Sequence, residues 1–340
     1  MKKLSILLTS IYVIIYLIYP IETLVKSKNQ ENVKMNEIPI EVVDGYLVLD
    51  DNKADSSDRK WGDLNNFNYM VYVNVDGYIY IDGIFHKVDA HWKNDKFYIK
   101  EKDGIDLFNL KKVNDKYFSA TKDVVGSNVC RQVDKLDVLE KLSNPNLPIK
   151  NAYITKEPGQ LPGANRDYRN GKHEGFDWYP GAIGTEISNK TKVYPIYEGT
   201  VVRIAKDYKE LEPTYREKLL KEAAKIKYTP QSTLDLLRGR QVWVQSENGV
   251  LIHYAHLSSV NNKINVGDKV TIKDSIGTVG NSGTSNGALH TNDDLHLHTD
   301  LVVCGKNFWE YGEKSEMVNS LIKIFDLKSN KITNYLKNEA

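Results

Sequence analysis

Cysteine is scarce in this chain of 340 residues, which holds two, Cys130 and Cys304. A disulfide-rich scaffold needs more, and so does a zinc ribbon built on thiolates. Any metal site must therefore draw on histidine and carboxylate. An excess of one charge sign is missing as well, with 46 Lys+Arg against 45 Asp+Glu and a formal net charge of +1. That balance excludes the overall basic field of a dedicated nucleic-acid binder, so no nucleic acid is expected as a partner. Hydrophobic residues at 41% and charged residues at 27% fit neither wholesale disorder nor a multispan membrane protein. The length predicts two folded units, at about 150 residues per domain.

One long apolar run is present, at the N-terminus. Met1-Lys2-Lys3 precedes an uncharged stretch from Leu4 to Ile21, closed by Glu22 and Lys26. The run is long for the core of a signal peptide and no small-x-small cleavage site follows it, so residues 1–26 are read as an uncleaved signal anchor. The leading lysines keep the N-terminus inside and place residues 27–340 outside, anchored to the cell membrane by a single pass. Were the segment cleaved, the body would be secreted.

Residues 27–37 form a polar spacer. Short β-type runs punctuated by Asp44-Gly45, Asp76-Gly77, Asn94-Asp95 and Asn114-Asp115 then predict a small antiparallel β domain of unknown role over 38–125. His86 and His91 fall in it without a carboxylate constellation and read as packing or surface residues. A connector follows over 126–150, with a helix expected over Val129–Leu142 and a break at Asn144-Pro145-Asn146-Leu147-Pro148. Pairing of Cys130 with Cys304 is left open at this level, since it requires the connector to dock on the domain that carries Cys304.

Six of the eight histidines lie at or beyond position 173. His173-Glu174-Gly175-Phe176-Asp177 is a weak signal alone, because a His-x-x-x-acid match arises about once by chance in such a chain. His296-Leu297-His298 is expected only about 0.2 times by chance, and on a strand its two imidazoles share a face. The order of the pieces is more specific. His-x-Gly-x-Asp within that first motif, Gly199-Thr200-Val201-Val202, Tyr254-Ala255-His256-Leu257, Gly267-Asp268-Lys269-Val270, Ile276-Gly277-Thr278-Val279-Gly280 and His296-Leu297-His298 follow one another. This ordered set, over about 166–305, resembles the lysostaphin-type zinc endopeptidases of bacterial cell walls.

The resemblance implies a mainly β fold, an antiparallel β-sandwich-like catalytic domain over 151–312. It implies Zn2+ as cofactor, with His173, Asp177 and His298 as ligands. Two imidazoles and one carboxylate leave a fourth position open for water, which is chemically apt for hydrolysis. His256 and His296 match the family's two non-ligand active-site histidines, for proton transfer and oxyanion stabilisation. The implied substrate is the peptide part of peptidoglycan, stem or cross-bridge. Rival readings are a non-catalytic cell-envelope scaffold with this fold and an amidase using the same metal set.

Outside these motifs, His253 reads as structural and His290 as part of a solvated loop. Glu174, beside a ligand position, is expected to face solvent. Residues 206–240 are an insertion relative to the family pattern. Tyr215, Leu219, Ala223 and Ile226 predict an amphipathic helix with Glu217/Lys221 and Lys218/Glu222 pairs on its outer face. A second helix is predicted with Thr229 as N-cap and Gly239 as terminator. This insertion, expected near the cleft, and the N-terminal β domain are the places where a protein partner would bind. Residues 313–340 are expected to be a helical tail.

Overall fold

The computed structural model describes residues 35–49, 53–54, 59–64, 67–72, 77–81, 83–120, 128–130, 133–226 and 229–338. The expected membrane segment, 1–26, lies outside them. Among the described residues no helix is long and apolar enough to cross a membrane.

The N-terminal part is antiparallel and begins earlier than its sequence pattern suggests, because Met35–Ile38 already pairs with Lys116–Ala120. Two-residue turns set the hairpins. Asp44-Gly45, Asn94-Asp95 and Asn114-Asp115 all take positive φ, the left-handed backbone that Asn, Asp and Gly tolerate and that matches the twist of the flanking strands. They join Glu41–Val43 to Tyr46–Leu49, Ala90–Lys93 to Lys96–Lys100, and Leu110–Val113 to Lys116–Ala120. A helix unforeseen from sequence, Glu101–Leu107, lies between two of these hairpins. Leu47, Ile79, Phe97, Ile99 and Phe108 are the centre of this core.

The connector is less helical than its leucine spacing predicts. A single 3-10 turn at Asn128–Cys130 is followed by a helix over Lys135–Lys141, which Asp134 caps by accepting from the backbone N–H groups of Leu136 and Asp137. Leu136, counted in the apolar stripe, is 72% exposed, and Val138 is the residue that turns inward. Cys130 and Cys304 form a disulfide with Cα atoms 5.3 Å apart, so the connector is bound covalently to the C-terminal domain.

The C-terminal part is mainly β and antiparallel, and its sheets do not close into a barrel among the described residues. Its seven-stranded sheet runs in the order Phe176–Trp178, Leu297–Val303, Val250–Ala255, Val242–Gln245, Gly199–Ile204 and Lys269–Val270, with Lys306–Asn307 paired to Leu297–Val303. A three-stranded sheet of Lys192–Val193, Gly277–Thr278 and Ser259–Val260 stands beside it. Alternation along the strand Leu297–Val303 separates two environments. Leu297, Leu301 and Val303 belong to the apolar core with Trp178, Ile252 and Tyr254. His298 and Asp300 face the other way. The C-terminal helix, Lys314–Asn338, is no loose tail: Met317, Leu321 and Phe325 are fully buried in the same core, Phe325 edge-on to Trp178.

The N-terminal domain packs on the seven-stranded sheet. Met70, Tyr78, Tyr80 and Phe85 bury themselves with Val202, Trp243 and Leu251 in one cluster. Gly83 is needed at this contact, since a Cβ there would lie 2.4 Å from the Cys304 backbone.

Candidate metal centre and its cleft

Strand register assembles the centre. Asp177 pairs directly with His298 across two strands, and His298 pairs with Ala255 on its other side, which brings the next residue, His256, to the same end of the sheet. His256 leaves the strand with φ at +60°, a costly backbone for a non-glycine residue that is held by its N–H donating to the Arg238 carbonyl. His173 comes in from the short strand before. Gly175, between it and Asp177, must lack a side chain, as a Cβ would sit 1.9 Å from the Thr299 carbonyl oxygen.

Three ligand atoms converge. His173 Nε2 lies 3.0 Å from Asp177 Oδ1 and 3.1 Å from His298 Nδ1, and His298 Nδ1 lies 2.8 Å from Asp177 Oδ1. Each is oriented from behind. His173 donates from Nδ1 to the Leu161 carbonyl, which leaves its Nε2 a bare lone pair. His298 turns Nε2 to Asp300 Oδ1, and Asp177 Oδ2 accepts from Arg166. Lone pairs packed together in a buried place repel unless a cation or proton sits among them. Their spacing is close to the edge of a tetrahedron about 3.3 Å long around a metal with bonds near 2.0 Å. The residues therefore fit a metal ion of the zinc type.

Without a cation the buried charges fall on protons. Burial opposes charge on His298, but Asp300 and Asp177 outweigh it and push its pKa up to about 10. Burial likewise opposes ionisation of Asp177, yet the imidazoles of His173 and His298 hold its carboxyl well below the usual range.

His256 and His296 stand beside these three residues, with ring centroids 4.8 Å apart. Each gives Nδ1–H to a backbone carbonyl, His256 to Ser282 at 2.8 Å and His296 to Asp294 at 2.7 Å. A carbonyl can only accept, so both rings keep the proton on Nδ1 and present Nε2 as a lone pair. Burial, with the neighbouring imidazoles of His296 and His298, holds His256 well below the ordinary imidazole pKa, and burial lowers His296 as well. Tyr179 stacks on His296 at 4.2 Å between centroids and fixes the ring plane.

Several partners escape sequence reading. Asp300 accepts from Arg238 at 2.8 Å and from His253 at 3.0 Å, while Arg238 also reaches Asp235 at 3.4 Å. His253, structural as expected, is opposite Asp300 in register and stacks on Trp243 at 3.9 Å. Only the register reveals these pairs, except that Asp300 stands two residues beyond His298 and so on its face. Glu174 corrects the expectation of a solvent-facing side chain: it is 18% exposed and bridges the buried Arg169 at 2.7 Å. His290 is exposed.

A cleft of about 630 Å3 opens over the centre, lined by His173, Asp177, His256, His296 and His298 and by Arg216 and Leu220 of the insertion. The insertion holds two helices, Pro213–Lys225 and Gln231–Arg238. Pro230, rather than Thr229, is the N-cap of the second, because Thr229 instead exchanges hydrogen bonds with Arg169. Gly239 ends it at φ +66°, close against Ser282, where a Cβ would not fit. Tyr215 on the first helix and Ile226, its C-cap, are exposed and Ala223 is the buried member of the stripe, so this helix rests on the body by a narrow contact.

Fold and centre together describe an antiparallel β domain with a two-imidazole, one-carboxylate site for a metal ion, set in an open cleft. Residues 172–307, less than half of the chain, match peptidase family M23, and this segment is a domain of that lysostaphin-type family. No curated protein matches the chain. Solved structures with a likeness include the catalytic domain of the antimicrobial peptidase lysostaphin from Staphylococcus simulans, at 18% identity over 53% of this chain and 95% of that one, with a TM-score of 0.26. The catalytic domain of the prophage-encoded M23 protein EnpA from Enterococcus faecalis is similar at 19% identity over 48% and 90%, TM-score 0.29. Csd3 from Helicobacter pylori is similar at 14% over 81% and 58%, TM-score 0.28. At TM-scores this low, none of these likenesses bears on the chemistry of the centre.

Proposed function

We propose that the protein is a zinc metalloendopeptidase that hydrolyses peptide bonds in the stem or cross-bridge of bacterial peptidoglycan. The observation that carries this reading is the convergence of lone pairs from His173 Nε2, Asp177 Oδ1 and His298 Nδ1 beneath an open cleft, with two neutral imidazoles alongside. Bound Zn2+ supplies Lewis acidity, lowering the pKa of water toward neutrality and polarising the carbonyl under attack. His256 and His296 handle the protons. With Nδ1–H engaged by a carbonyl, either Nε2 accepts the proton of the attacking water, and the ring so charged returns it to the leaving amine. The same Nε2–H hydrogen-bonds the oxyanion as it develops. Residues 1–26 hold this body at the outer face of the cell membrane, and the insertion and the N-terminal domain are the surfaces for protein partners.

The test is a digest of purified peptidoglycans with different cross-bridges by residues 27–340, followed by mass analysis of the fragments. New peptide amino termini are expected, and their position identifies the bond. Intact peptide chains throughout would remove the endopeptidase reading in favour of a non-catalytic scaffold, and release of peptide from glycan would point to an amidase.

A further inference from the structure

Four arginines line the cleft, and three of them face a carboxylate. Arg166 pairs with Asp177, Arg169 with Glu174, and Arg238 with Asp300 and Asp235. Arg216, in the first helix of the insertion, has no carboxylate within ion-pair distance among the described residues. Its guanidinium is nevertheless held in place. Nε donates to the Gly283 carbonyl at 3.0 Å and Nη1 to Ser285 Oγ at 2.8 Å. Nη2 and the second N–H of Nη1 have no protein acceptor among the described residues. The charge of Glu210 acts on Arg216 without a direct ion pair, and its Oε2 accepts from the Gly283 N–H. The buried hydroxyl of Tyr208 is also close enough to act on the Arg216 charge.

A half-buried, oriented cation with unused donors on the wall of a binding cleft is a site for an anion, and a guanidinium fork suits the planar carboxylate. We infer that Arg216 is a specificity residue that binds a free carboxylate of the peptide substrate, so that the insertion selects acidic peptides over amidated ones. This rests on the proposed peptide substrate but not on its cleavage. Two peptide chemistries carry the same group, a free C-terminal carboxylate and the free α-carboxyl of an isoglutamate residue, and the test separates them.

The measurement is equilibrium binding of fluorescein-labelled stem pentapeptides to the zinc-loaded chain by anisotropy, each probe checked for intactness by mass spectrometry. One probe carries both carboxylates, one is amidated at the C-terminus, and one has isoglutamine in place of isoglutamate. One amidation is expected to weaken binding about tenfold or more, the loss typical of a charge-assisted pair. The affinity ratio between that pair of peptides should fall toward one in Arg216→Gln and be partly restored in Arg216→Lys. If turnover occurs, the same ratio is read in KM. Equal affinity of the wild-type chain for all three probes would overturn the inference without any variant, as would a ratio that persists in folded Arg216→Gln. Retention of the preference, with peptide chains left intact throughout the peptidoglycan digest, would leave this site standing while removing the endopeptidase reading.

Discussion

Asp300 shows how one side chain controls a centre it does not enter. It accepts from His298 Nε2 and is itself held by Arg238 and His253, so it sets the tautomer that turns Nδ1 toward Asp177. Such outer partners are worth about 10–100-fold in metal affinity. Asp300→Asn keeps the shape and an acceptor but loses the charge, and is expected to lower zinc affinity by that order, read by competition with a chromophoric chelator. Unchanged affinity would mean that packing alone orients His298. The same residue gives the metal-free chain a pH dependence. Its folded-state His298 pKa is about 10, against about 6.5 for an unfolded histidine, so the proton stabilises the fold fully below about pH 6.5 and this contribution is lost as pH rises toward 10. Melting in chelator should therefore fall from pH 7 to pH 10, and His298→Gln should lack that part of the slope. Parallel slopes in the two chains would contradict the assignment of the proton to His298.

At the scale of elements, local chemistry was legible in the sequence and register was not. Asn-Asp and Asp-Gly turns mark hairpins because their φ preferences are intrinsic to the residues. His-x-His on a strand and His-x-x-x-Asp around a glycine mark His173, Asp177, His296 and His298 as candidates, while the resemblance carried by the order of the motifs adds His256 and implies one site; their roles stand as proposals. The Arg238–Asp300–His253 network depends on which residues face each other across strands, which composition does not reveal. Helical spacing likewise overstates burial, since Leu136, Tyr215 and Ile226 fit a stripe and yet are exposed. Glu101–Leu107 was hidden by Gly104, a poor helix former that here lets the helix approach Leu47.

The insertion divides by function along the same lines. Its first helix supplies Arg216 to the cleft, while its second ends in Arg238, the clamp on Asp300. Replacing 211–226 with a short turn is expected to keep zinc affinity and alter the range of substrates cleaved. Replacing 208–238 should also weaken zinc, because Arg238 goes with it. Equal zinc affinity in both shortened chains would show that Arg238 does not support the centre.

At the scale of the molecule, three described parts meet at one end of the seven-stranded sheet. The disulfide fixes the connector to Cys304, one residue past the strand that carries His298, and the N-terminal domain covers Trp243 and Leu251 nearby. Phe85 of that domain lies 6.4 Å from the Trp243 ring, which stacks on His253. Closing so long a loop restricts the unfolded chain, and removing such a bridge costs about 2–5 kcal/mol. Cys130→Ser with Cys304→Ser should therefore lower the midpoint of denaturant unfolding, with zinc still bound in the folded chain. A midpoint matching the wild type would assign the stability to the apolar contacts alone.

The central claim is that His173, Asp177 and His298 hold a zinc ion whose chemistry His256 and His296 serve. Metal content per chain, measured by plasma mass spectrometry on purified wild type and single alanine variants, tests it most directly. Close to one zinc is expected in the wild type, His256→Ala and His296→Ala, and little in His173→Ala or His298→Ala, since two remaining protein ligands hold the ion poorly. Stoichiometric zinc in both ligand variants, or its loss from His256→Ala or His296→Ala in a folded chain, would contradict it.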